Sequence, residues 1–203
     1  MFDTASILIG SMFIFSSTAI ASEIGNPAAL SDFQLKDRLA ITDVVNSIGT
    51  LADLGQYDRL QQLFSDRVTV DYTSLFPGEV QDISAEQLMT QWQSVLPGFD
   101  ATQHLITNHL SCCAFPCVLR RRGVAAQITI DGNEATAVAY VRATHKLGDE
   151  MWVVGGYYVD ELVRTDEGWK LKAIQYNALY EEGNRALVEQ AAAKVANQIN
   201  TNN

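Results

Sequence analysis

Ala135-Thr-Ala-Val-Ala-Tyr-Val-Arg-Ala-Thr-His145 alternates small or apolar residues with polar ones over eleven positions. A period of two is the signature of a strand with one face on a core. Ala137, Ala139, Val141 and Ala143 then share a face with His145, which ends the run. Two more strand patterns follow, Trp152 to Arg164 and Trp169 to Tyr180, and two precede it, Thr102 to His109 and Ala125 to Ile130. Asp131-Gly132-Asn133 and Asp166-Glu167-Gly168 separate consecutive runs as hairpin turns. The carboxyl-terminal half is therefore expected to be an antiparallel meander.

Upstream the period changes. Leu35, Leu39, Val44, Val45, Ile48, Leu51 and Ala52 recur at helical spacing and predict an amphipathic helix over Ser31 to Leu54. Gly55-Gln56 breaks it, and a short helix from Asp58 to Phe64 and a strand from Val68 to Tyr72 follow. Ser84 and Gln87 have the spacing of a capping box, with Ile83 and Leu88 as its apolar staple. A helix is expected from there to Val95, stopped by Pro97-Gly98. An Ala-rich helix over 185–198 closes the chain and is expected to pack on the outside or on a second subunit. Helices first and strands afterwards predict an α+β domain whose sheet curls around the helices.

The 203 residues are 47% hydrophobic and 19% charged, enough for one domain with a core over residues 22–203. Twenty-four acidic against fourteen basic residues give a formal charge of -10, which excludes nucleic acid as an expected partner. Residues 1–21 carry one charge, Asp3, then an apolar run and Ala19-Ile20-Ala21. That resembles a signal peptide cleaved after Ala21 and predicts a secreted or periplasmic protein, an uncleaved tether being the alternative. Cys112, Cys113 and Cys117 lie together with Arg120, Arg121 and Arg122 in 111–124, read as an inserted loop. Their spacing lacks the second ligand pair of a zinc site, so a local disulfide or free thiols is expected and no metal.

His104 and His145 are the candidate proton-transfer residues. On a strand His104 shares its face with Ile106 and Asn108, while His109 points the other way and is read as structural. An imidazole on a largely apolar concave face is poised to titrate near neutrality, although a histidine satisfying a core hydrogen bond is the competing reading. Asp53, near the end of the first helix, is placed where a carboxylate opposes the helix dipole, which hints at a use. Tyr72 is a candidate hydrogen-bond donor to an enolate oxygen. Tyr158 lies between Gly156 and Asp160, and Gly155 and Gly156 leave room for a ligand or a bulge. No phosphate loop, nucleophile elbow or metal box is present, so a cofactor-free reaction is the simplest enzymatic reading.

The order Leu51-Ala-Asp-Leu54, Tyr57-Asp-Arg-Leu-Gln-Gln-Leu-Phe64, Val70-Asp-Tyr72, Ala101-Thr-Gln-His104, Asp131-Gly-Asn-Glu-Ala-Thr136 and Asp166-Glu-Gly-Trp-Lys170 resembles the SnoaL-like domain of the nuclear transport factor 2-like superfamily, from about Leu35 to Asn184. The pattern is most similar to that of scytalone dehydratase and related dehydratases and cyclases. The resemblance implies a cone-shaped, curved antiparallel sheet wrapped around the amino-terminal helices, with a deep pocket and no cofactor. It implies that His104, His145, Asp53 and Tyr72 are catalytic, and that Tyr158, Asn108, Ile106 and Val141 contact substrate. Ala52 stands where those enzymes carry a tyrosine, and Tyr158 where they place an asparagine. A cofactor-independent lyase or isomerase acting on a small, hydrophobic or aromatic cyclic secondary metabolite is the expected function. A non-catalytic extracellular binding protein is the alternative. The open sheet face that the fold carries implies a homo-oligomer, dimer or trimer.

Overall fold

Ser31 opens the first helix with a capping box: its hydroxyl accepts from the Gln34 amide at 3.2 Å, and its own amide donates to the Gln34 side chain at 3.0 Å. The computed structural model describes residues 31–109 and 128–201. The expected leader (1–21) and the cysteine and arginine stretch (111–124) lie outside the described residues.

Helix α1 (Asp32–Asp53) buries Ile41, Val45, Ile48, Leu51 and Ala52. Their spacing follows the helical period, and each fully buried Ile or Val contributes about 1.5–3 kcal/mol. Leu35 and Leu39, expected on that stripe, are exposed; Asp37 and Arg38 are buried in their place. Asp37 is satisfied there by Arg164 through two 2.6 Å bonds and by the Trp169 indole at 3.1 Å. Helix α2 (Tyr57–Gln61) ends earlier than expected, because Phe64 is needed as the buried first residue of strand β1 (Phe64–Asp71).

Strand β2 (Gln81–Ser84) follows, then helix α3 (Ala85–Gln93) with the expected capping box on Ser84 and Gln87. A single 3-10 turn, Leu96–Gly98, leads into β3 (Ala101–Thr107). Strands β4 (Ile128–Asp131), β5 (Glu134–Leu147), β6 (Glu150–Thr165) and β7 (Gly168–Gly183) and helix α4 (Leu187–Thr201) complete the described chain. Gly132, at φ 60, supplies the left-handed residue that the tight β4–β5 hairpin needs.

The sheet runs β2-β1-β7-β6-β5-β3, with β4 also on β5, and it is open rather than closed on itself. Every pairing is antiparallel except β1 with β7, which is parallel, so the meander expectation holds for β4 to β7 and not for the whole sheet. Register shifts at Gly155/Gly156 and Glu161/Leu162 bend it. Ala135, Ala137, Ala139, Val141, Ala143 and His145 are all buried on one face, as alternation requires. That concave face packs on α1. Helix α4 buries Leu187, Ala191 and Val195 and contacts the Leu96–Gly98 turn of its own chain. The architecture is a curved, unclosed α+β sheet over amino-terminal helices.

Candidate active site

Asp53 is the last residue of α1, and β3 passes directly beneath it. The carboxylate accepts the His104 backbone N–H at 2.8 Å and the Thr102 hydroxyl at 2.8 Å, and its Oδ1 lies 2.7 Å from His104 Nδ1. Burial pushes the Asp53 carboxyl up, but the donors from His104 and Thr102 outweigh it and hold it below the usual range. An ionised carboxylate only accepts, so Nδ1 donates to it, and in the neutral ring Nε2 is the acceptor. His104 lines a cavity of ≈ 300 Å³, and its free nitrogen is the basic end of a His-Asp unit.

His145, opposite Thr102 in the β3–β5 register, stands edge-on to His104 with ring centroids 5.6 Å apart. Trp152 at 4.7 Å and Phe99 at 5.0 Å enclose it. Its Nδ1 lies 3.4 Å from the Trp152 carbonyl, a long and weak contact. Burial first, then the neighbouring His104, push its pKa down to about 4. At neutral pH His145 is thus an uncharged imidazole, able to accept from a hydroxyl and poorly suited to donate as an acid.

Tyr72 lies just past the end of β1, four strand spacings from β3 along the sheet, about 19 Å along the arc. Curvature nevertheless brings its ring to the cavity that His104 lines. Tyr158 lines the same cavity, and the Tyr176 ring stands 6.2 Å from Tyr72 and 5.4 Å from Tyr158. Burial raises all three phenols, Tyr176 to about 12, so each keeps its proton across the physiological range. The remaining wall is mostly apolar and aromatic, with Trp92, Phe99, Ile106, Val141, Trp152 and Val154, and Gln81 and Gln91 add two amides bonded to each other at 2.8 Å. Among the described residues, none that lines the cavity is Lys, Arg, Asp or Glu. Among the described residues no group of His, Cys, Asp and Glu could hold a metal ion.

The sheet that carries this cavity and the sequence order that builds it coincide with a known domain. A family model described as a SnoaL-like domain matches residues 34–111 and 117–175. The chain belongs to the SnoaL-like family. Solved structures of similar fold include the Kfla4162 protein from Kribbella flavida, at TM-score 0.65 and 28% identity, covering 76% of this chain and 98% of that one. A protein from Novosphingobium aromaticivorans named as a candidate scytalone dehydratase aligns at TM-score 0.59 and 19% identity, over 77% and 93%. Hexachlorocyclohexane dehydrochlorinase LinA-type3 from Novosphingobium barchaimii aligns at 0.56 and 18%, over 76% and 95%. The last two bear on the fold alone. No curated protein sequence matches.

In this SnoaL-like chain the structure brings together His104, His145, Tyr72, Tyr158, Ile106 and Val141 around one cavity, with Asp53 bonded behind His104. It does not bring Asn108. Strand β3 ends at Thr107, and Asn108 turns to φ 60, exposed and away from the lining. Asparagine tolerates that left-handed conformation better than most residues, which is why the strand stops there. His109 bonds through Nε2 to Asn46 of α1 at 2.7 Å, the structural part expected of it. The glycine pair makes a bulge, and the space on the inner face of Gly156 is filled by the Tyr176 ring.

Three residues went unrecognised in the sequence. Thr102 shares a strand face with His104, a signal that alternation alone supplies. Tyr176 and Trp152 reach the cavity through long-range pairing that no local pattern announces. Asp160, named in the sequence only beside Tyr158, is fully buried on the inner face between Ala137 and Ile174, and neither oxygen has a hydrogen-bond partner among the described residues. Burial raises its pKa well above the ordinary value and favours the neutral acid.

Proposed function

We propose that the protein is a cofactor-independent lyase or isomerase of the dehydratase or cyclase type, acting on a small uncharged cyclic metabolite. The observation that carries this reading is the 2.7 Å bond from His104 Nδ1 to an ionised Asp53, with the opposite nitrogen free on an apolar cavity. A neutral imidazole backed by a carboxylate removes a proton next to a carbonyl, and Asp53 stabilises the imidazolium that forms. The Tyr72 hydroxyl donates to the enolate oxygen. For dehydration, the C–H electron pair forms the new double bond and the C–O bond breaks. The proton held on His104 leaves with the hydroxyl as water. His145, uncharged, accepts from that hydroxyl and orients it. For isomerisation the same proton returns to another carbon.

Low charge on the described lining supports an uncharged substrate, since among the described residues no cation would compensate a carboxylate or phosphate desolvated there. The test is a mass-spectrometric comparison of metabolites in the source organism carrying wild type or His104→Asn. A precursor heavier by one water supports dehydration, and an equal-mass precursor supports cyclisation or isomerisation. An unchanged profile contradicts the enzymatic reading and favours a binding protein.

A further inference from the structure

Gly49 is costly where it stands. It is buried one turn from the end of α1, still inside the helix, where glycine destabilises by up to about 1 kcal/mol relative to alanine. It also lies one turn before Asp53, on the same side of the helix. A β-carbon at this position would stand 2.7 Å from His104 Cβ, and 3.3 Å from both the His104 carbonyl oxygen and Ile106 Cδ1. Carbon atoms rest at about 3.5–4.0 Å, so any side chain here would force α1 and β3 apart by about 1 Å. The obstacle does not yield easily. His104 Cβ is fixed to a strand whose ladder to β5 is unbroken from Ala101 to Thr107.

We infer that Gly49 is a positioning residue: its missing side chain sets the spacing of α1 and β3 at which Asp53 reaches both the backbone and the ring of His104. Aspartate has one methylene with which to span that gap. The bonds it makes are 2.7 and 2.8 Å long. An added separation of about 1 Å would carry both beyond hydrogen-bonding distance. The helix therefore accepts a poor helix former to bring its terminal carboxylate onto the strand. This rests on the proposed role of the Asp53–His104 unit for its functional meaning, and on the contact geometry alone for its physical claim.

The experiment is Gly49→Ala, followed by two readouts: the proton NMR resonance of the hydrogen-bonded His104 Nδ1–H, assigned by its absence in His104→Asn, and α-proton exchange of 2-tetralone in D2O. The expected result is loss of the downfield resonance and an exchange rate lower by about 10²-fold, with far-UV circular dichroism unchanged. Asp53→Glu supplies the extra methylene. It should restore the resonance and part of the rate in the Gly49→Ala background, and weaken both when glycine is retained. A Gly49→Ala protein that keeps resonance and rate would overturn the inference, as would an Asp53→Glu effect of equal size in both backgrounds. If Gly49→Ala does not fold, Asp53→Glu alone decides: a wild-type resonance and rate would overturn the inference, and their loss supports it. A wild-type protein that shows the resonance but exchanges no α-proton would sink the catalytic reading and leave the seating of Asp53 intact.

Discussion

Asp53 takes both the backbone amide and the ring Nδ1 proton of His104, one on each carboxylate oxygen, at 2.8 and 2.7 Å. The two bonds fix the imidazole in rotation and in tautomer together. Thr102, two residues before His104, completes the shell of donors. Asp53→Asn keeps the shape but offers the ring an amide that both donates and accepts, so the tautomer is no longer imposed. The exchange rate of an α-ketonic probe should fall by about 10²–10⁴, with little change in probe affinity. Thr102→Val should cost about 1 kcal/mol of stability and a smaller loss of rate, read by thermal melting and the same assay.

His145 couples stability to acid. Its folded pKa is about 4 against 6.5 for the free side chain. The unfolded chain binds the extra proton in that interval, so stability is present above 6.5 and is lost as pH falls toward 4. At about 1.4 kcal/mol per pH unit, the window amounts to about 3 kcal/mol. In urea unfolding at several pH values, the difference in stability between wild type and His145→Leu should follow this slope.

Asp160 acts in the opposite direction. Its folded pKa is raised, so folding takes up a proton at any pH between the unfolded carboxylate pKa and the folded one. Stability from this group is full below the unfolded value, near 3.9, and declines as pH rises through the window. Asp160→Asn, neutral in both states, should therefore be more stable than wild type at pH 7, and the difference should shrink toward zero near pH 3. A gain that does not depend on pH would show that folding does not raise the Asp160 pKa.

The strands most exposed to alternation were readable from residues alone: β5 places Ala137, Ala139, Val141 and His145 on the inner face as the sequence pattern requires. His104 and Asp53 were legible for the same reason, each standing out as polar on an apolar element. Strand β2 was not, because Gln81-Asp-Ile-Ser84 has no pattern of its own and exists through pairing with Arg67 to Val70. Asn108 was misplaced by extending the alternation past a residue that favours the left-handed turn. The short start of β1 at Phe64 was hidden behind helical spacing until the buried ring decided it. Asp160 and Tyr176 owe their environment to strands far apart in the chain, so nothing near them in sequence reports it.

Proton abstraction by His104 is the central claim, and it can be measured without knowing the natural substrate. 2-Tetralone, an uncharged bicyclic ketone of a size suited to the ≈ 300 Å³ cavity, is incubated in D2O with wild type and with His104→Asn, and loss of its α-proton signal is followed by NMR. The account predicts exchange catalysed by wild type and reduced by at least about 10²-fold in the variant, with both proteins binding the ketone. Equal rates in the two proteins would contradict it.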